Sequence, residues 1–135
     1  MKTLALVIVL LVVAVLGWIR LAPTDAARWH LDPATTPDPT TPNFARVNRV
    51  VAMPVADVAA AIAARAQGEG ARRLAGDDAF ATWVQRSRLM GYPDFVSIRL
   101  TAEGAGTRIE ALSRARFGHG DLGVNQARLR RWLPE

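Results

Sequence analysis

Thr3–Ile19 (TLALVIVLLVVAVLGWI) carries no charge, and Leu4–Leu16 is unbroken Leu, Val, Ile and Ala. A helix built from these residues is apolar on every face. It has no polar side to give to water, as an ordinary core helix would, so the pattern predicts a membrane span. At about 1.5 Å per residue the run reaches about 26 Å, the short end of what crosses a bilayer. Lys2 precedes it, and Trp18 and Arg20 close it where interfacial anchors belong. A cleaved secretory leader is the competing reading. Its apolar core usually runs about 7–15 residues, and no Ala-x-Ala site follows here; Thr24-Asp25-Ala26 is the nearest substitute.

Past residue 21 the pattern changes. Residues 22–42 hold Pro23, Pro33, Pro37, Pro39 and Pro42 among threonines, with few aliphatic side chains. Proline at this density excludes a helix or a central strand. The segment is expected to be an extended spacer reaching on the order of 60 Å. Within it, Trp29 is expected to dock on the domain or on the bilayer interface. The chain thus divides into an anchor (1–21), a Pro/Thr-rich tether (22–42) and a globular domain (43–135).

In that domain Ala45–Ala52 reads as a strand bounded by Pro42 and Pro54. Pro54 then opens a helix, where a missing N–H costs nothing, with Val55, Val58, Ile62 and Ala66 on one face. Arg72–Ala75 and Phe80–Arg88 read as strands. Phe95–Ala102 alternates, with Val96, Ile98 and Leu100 on one side. A Glu103–Gly106 turn leads into Thr107–Phe117, whose second row is Arg108, Glu110, Leu112, Arg114 and Arg116. Asp121 can cap a final helix from Leu122 to about Leu133, its buried stripe Leu122, Leu129, Trp132 and Leu133. The fold class is therefore α+β: an N-terminal transmembrane helix, then an antiparallel sheet of about four or five strands with two helices on one face. The other face is expected to be arginine-rich, through Arg99, Arg108, Arg114 and Arg116.

Composition narrows the chemistry. The chain has no cysteine, which removes disulfides, thiolate metal sites and a lipidated cysteine anchor. Its net charge of +5 comes from 17 basic and 12 acidic residues, and all but one of the basic residues is arginine. There is no dense cationic stripe with interleaved aromatics, so nucleic acid is not an expected partner. Two distant histidines offer no metal set, and no cofactor is expected. Gly118-His119-Gly120-Asp121-Leu122-Gly123 matches GxGxxG formally, but only 12 residues follow it and no acid lies about 20 residues downstream, where a ribose-binding carboxylate belongs. It reads as a capped strand-to-helix turn. A triad of His119, Asp121 and a serine (Ser87, Ser97 or Ser113) lacks a nucleophile elbow, the serines lying inside or at the end of strands. Asp77-Asp78 reads as a solvated turn. No catalytic residue is assigned. For the arginine row, two readings stand: an ion-pair network joining Arg114 or Arg116 to Asp121 or Asp94, or an anion site for a lipid headgroup or phosphate.

Arg86-Ser87-Arg88 followed by Tyr92-Pro93-Asp94, then Ser113-Arg114-Ala115-Arg116-Phe117-Gly118 and Asp121-Leu122-Gly123-Val124-Asn125-Gln126-Ala127-Arg128, resembles the signature of domain-of-unknown-function family 1499. The resemblance covers roughly residues 43–135. Its last motif has the form R-x-G-x-x-D-L-G-x-N-x-x-R, with the family's arginine falling on Arg114 or Arg116. Many relatives carry Pro-Asn-Cys near the domain start, where this chain has Pro42-Asn43-Phe44. The resemblance implies a small bacterial, envelope-associated domain with no established activity. It marks a polar cluster, ligand-binding or structural, of Arg88, Asp94, Arg114, Arg116, Asp121, Asn125 and Arg128.

The expected protein is a single-pass inner-membrane protein with its C-terminal domain on the periplasmic side. Its partners are the bilayer, through residues 3–19, and a membrane protein complex in which it is a non-catalytic binding module or accessory subunit. The alternatives are an envelope hydrolase, or an anionic-ligand (lipid or phosphate) protein using the Arg/Asp cluster at the last strand–helix turn. A purely structural role is the third reading.

Overall fold

The computed structural model describes residues 1–135. The uncharged run forms one helix, α1 (Lys2–Arg20), exposed on every side through Val15. Only its last turns meet the rest of the protein, and there Ile19 is 5% exposed. A single helical turn, α2 (Ala26–Trp29), follows, capped by Asp25.

Five strands, β1 (Phe44–Val51), β2 (Arg72–Gly76), β3 (Phe80–Arg86), β4 (Pro93–Glu103) and β5 (Gly106–Ala115), pair antiparallel in the order β1-β5-β4-β3-β2. The tight hairpin closing β4 and β5 brings Glu103 opposite Gly106. Helix α3 (Val55–Gly68) carries the chain from one edge of the sheet to the other, and α4 (Val124–Trp132) ends the fold. The expected α+β architecture, with two helices on one face of the sheet, is the one observed.

Strand alternation decides what lies under those helices. Val96, Ile98 and Leu100 of β4 stand in register with Ser113, Ala111 and Ile109 of β5, and Trp83 and Ala81 of β3 extend the rows. Val58, Ala59, Ile62 and Ala66 of α3 and Leu129, Trp132 and Leu133 from the α4 end close over them in one buried cluster. Each aliphatic side chain buried this way contributes about 1.5–3 kcal/mol. The helical stripe of α3 is as read from the sequence. That of α4 differs: Leu122 is fully exposed, with φ +52, because the helix starts two residues later than expected. Asn125 and Arg128 take the buried positions instead.

The opposite face is not a bare arginine surface. The same alternation that places arginines there also places Phe80, Val84, Phe95 and Leu112 on it, and Val84, Phe95 and Leu112 are at most 2% exposed. Residues 22–42, expected to stand off as an extended spacer, supply part of the cover. Trp29 stacks flat on Phe95, centroids 4.0 Å apart and planes within 5°. His30 stacks on Phe80 and meets the Thr82 hydroxyl at 2.9 Å. Asp32 receives two bonds from Arg99, at 2.8 and 2.5 Å. Arg46 of β1 holds the carbonyls of Pro33 and Thr36 and the carboxylate of Asp38. Proline suits such a strap, which needs no ladder partner and keeps an extended backbone.

A spacer would tolerate loss of its tryptophan. A strap would not: Trp29→Ala removes an aromatic pair from a dry contact and is expected to destabilise the domain by about 3–5 kcal/mol in denaturant unfolding.

Candidate functional site

The inner face of the sheet turns polar toward one end. Beyond Val96 the next inward position on β4 is Asp94, its partner on β3 is Gln85, and β5 presents Ser113 beside them. Over this polar end α4 sets Asn125 and Arg128, three residues apart and on one face of the helix.

Arg128 is the hub. Its side chain is 5% exposed. Nε donates to Gln85 Oε1 at 2.6 Å, Nη2 to Asp94 Oδ2 at 2.6 Å, and Nη1 to both Ser113 Oγ and Asn125 Oδ1, at 3.0 and 2.8 Å. Asn125 is fully buried and fully partnered. Its oxygen also accepts from the Ser113 hydroxyl, and its amide donates to Asn43 O and Asp121 Oδ2. Asp121 accepts in addition from the backbone N–H groups of Gly123 and Asn125. Asn43, 2% exposed, ties the arrangement to the preceding turn by donating to the Phe117 and Gly118 carbonyls. Gly118 and Gly123 both stand at positive φ, +88° and +80°, which lets the chain reverse between strand and helix.

Of the residues singled out from the sequence, Asp94, Asp121, Asn125 and Arg128 come together. Arg114 and Arg116 do not join them. Arg114 sits on the outward row of β5 and Arg116 just past its end, and the anticipated ion pair to Asp94 or Asp121 does not form. Arg114 instead donates to the Trp29 carbonyl at 2.7 Å from above the indole ring, and Arg116 donates to the Pro23 carbonyl. Arg88 lies exposed in the loop after β3. Sequence reading missed two members: Gln85, an ordinary strand residue, and Asn43, visible only as part of Pro42-Asn43-Phe44. Ser113 and Ser97, drawn above as candidate nucleophiles, are fully buried and bonded to Asn125 and Thr82. His119 is exposed.

Charge in this cluster is held at a cost. Burial raises the Asp94 carboxyl above the usual carboxylate range, against the pull of Arg128. For Asp121 partial burial works in the same sense but is outweighed by hydrogen bonds from Asn125 and Gly123, so its carboxyl is held low. Beside the cluster an open cleft of about 660 Å³ is lined by Arg86, Arg88, Arg128 and Arg131 with Asp94 and Glu69. Glu69 takes a two-bond grip from Arg131, at 2.6 and 2.9 Å. That grip, with smaller help from Trp132 and Gln85, lowers the Glu69 carboxyl to about 2. Across Ser87, Asp94 and Val124 a second open cavity of about 300 Å³ is rimmed by Tyr92 and Phe117.

Arg128→Met leaves Asp94 buried and alone, and is expected to cost about 3–5 kcal/mol of unfolding free energy. Asp121→Ala removes the acceptor for the Gly123 and Asn125 N–H groups at the start of α4, and a loss of about 0.5–2 kcal/mol is expected in denaturant unfolding. Glu69 gives a pH test. A carboxyl lowered on folding stabilises fully above its ordinary value of 4.5, and that contribution fades as pH falls toward about 2. Glu69→Gln should therefore show a smaller drop in melting temperature between neutral pH and pH ~3 than the parent, by about 2–4 °C.

No curated protein and no solved structure matches the chain. A family model does, described as Protein of unknown function (DUF1499), over residues 25–135. The match takes in α2, the Trp29 and Asp32 contacts of the strap, the whole sheet and the polar cluster. On that extent the chain belongs to the DUF1499 family.

Proposed function

We propose that the protein is a single-pass membrane protein whose globular domain works outside the cytoplasm as a non-catalytic binding module, an accessory part of a membrane assembly. The observation that carries the anchor is α1, whose residues through Val15 stay exposed on every side while the domain offers them no apolar groove. Water around such a helix would be in contact with Leu, Val and Ile side chains along its whole length, and a bilayer removes that cost. The non-catalytic reading is supported by the polar cluster, in which Asp121, Ser113 and Asn125 are bonded to one another, to Arg128 and to the backbone, and Asp94 is paired with Arg128. The hydrolase alternative gains no support here, since His119 does not line the cavity beside its own turn.

A specific observation favours one further reading of the binding role, an anionic ligand. Four guanidinium groups border the 660 Å³ cleft against two carboxylates, and Arg88 among them has no hydrogen-bond partner in the protein. Guanidinium forks suit phosphate or carboxylate groups.

Two measurements test the proposal. The chain should stay in the membrane pellet through alkaline carbonate extraction and keep its N-terminal residues. A C-terminal tag should be cut by protease added to spheroplasts. Release as a soluble chain starting near Ala27, or a tag protected until lysis, would overturn it. For the binding role, purification from native membranes in mild detergent should bring down a stoichiometric partner or lipid, and a bare monomer would count against it.

A further inference from the structure

The junction between α1 and the domain has no slack. Arg86 donates to the carbonyls of Ile19 and Ala22, at 3.3 and 2.9 Å, and Arg20 donates to the Leu89 carbonyl at 2.7 Å. Gly91, at φ +74°, accepts the stem of Arg20 so closely that a Cβ there would lie 2.6 Å from Cγ. The loop between β3 and β4 is therefore clamped to the last turn of the helix. The apolar run of α1 extends about 26 Å, while the hydrocarbon layer is about 30 Å thick. A span at the short end of what crosses, with no spacer after it, holds the end of the domain close to the interfacial layer.

That end has the composition such a layer selects. Trp18, 64% exposed, packs edge-on against Phe117 at 5.6 Å, and Tyr92 lies 5.8 Å from the same ring. An interfacial tryptophan sets the depth of the rings it touches. Leu89, 82% exposed, projects from the clamped loop beside Arg88, and Leu122 is exposed on the neighbouring turn. Arg20, Arg72, Arg86, Arg88 and Arg116 have no carboxylate partner, whereas six other arginines form ion pairs. Burial lowers the Arg86 pKa, and the neighbouring charges of Arg72 and Arg116 add to the lowering.

We propose that the Ser87–Tyr92 loop is a membrane-docking loop, which seats Leu89 in the interfacial layer and sets Arg88 and the arginines around it against anionic phospholipid headgroups, so that the domain lies on the bilayer rather than swinging above it. This rests on the anchored reading of α1. The test separates the two.

The chain has no cysteine, so Leu89→Cys and Glu103→Cys each accept one environment-sensitive fluorophore. Position 103 lies at the far end of β4, about 30 Å away. The full chain is placed in nanodiscs of phosphatidylcholine, alone or mixed with phosphatidylglycerol. The reporter at 89 should shift to the blue and be quenched by headgroup-region nitroxide lipid, more so with phosphatidylglycerol, while the reporter at 103 reads as water. Arg88→Gln should reduce the phosphatidylglycerol preference about fivefold. A chain retained in the nanodisc whose reporter at 89 reads as water overturns the docking and leaves the anchor standing. A chain that the nanodisc does not retain overturns both. Equal quenching in the two lipid mixtures overturns the headgroup contact.

Discussion

A five-stranded sheet with apolar rows on both faces has to be covered twice, and the two long helices of this domain cover only one face. The other contains Val84, Phe95 and Leu112, all but dry, and part of what keeps water from them is a proline-rich strap running in from the N-terminal helix. Because the strap has only the single turn α2 and a few local turn bonds of its own, most of its backbone carbonyls must be met by side chains or water. Arginines on the sheet meet them: Arg46 at Pro33 and Thr36, Arg114 at Trp29, Arg116 at Pro23 and Arg86 at Ala22. The abundance of arginine on this face thus has a structural account. A guanidinium presents several donors in one plane and can serve two or three acceptors along an extended chain, which an ammonium on a single flexible stem does less well.

The inner face shows the same residue in a different setting. Arg128 sits where the sheet's apolar rows give out, and its donors reach β3, β4, β5 and its own helix at once. Asn125 extends the connection to the start of β1 through the Asn43 carbonyl and to the capped turn through Asp121. The polar motif of the last thirty-odd residues therefore binds together chain segments distant in sequence. A buried network of this sort is stable only when its members are partnered, and here the partners are distributed over three strands, the residue before β1, the turn at Asp121 and a helix.

How much of this was legible in the sequence follows from the range of each interaction. The apolar run, the Val58–Ile62–Ala66 stripe and the alternation of Val96, Ile98 and Leu100 are local patterns with a fixed period, and they located the elements to within a residue or two. That Asn125 and Arg128 share a helix face is legible from their spacing, whereas Asp121 joins them only through the family resemblance. The partners of Arg114 and Arg116 were not legible, although strand parity alone separates them from the inward position of Asp94 once the register of β4 and β5 is known. Docking of Trp29 on the domain is the one part of the strap the sequence suggests; the rest is not legible because its contacts are long-range, spanning 67 residues for Asp32 with Arg99 and 85 for Trp29 with Arg114. Its composition carries the signature of a free linker, and the outward row had been weighed by its charges without Phe95, Val84 and Leu112. Leu122 was misplaced because the helix start was read from Asp121 as the cap itself, whereas a glycine at positive φ delays the first turn.

The strap also orders events during synthesis. Trp29 leaves the ribosome long before Phe95, Arg99 and Arg114 exist to receive it, so the earliest part of the chain is the last to find its seat, and its docking waits on pairings of high contact order. Until Trp29 and its neighbours dock, the sheet's second apolar face, once β4 and β5 have formed it, stands open to water.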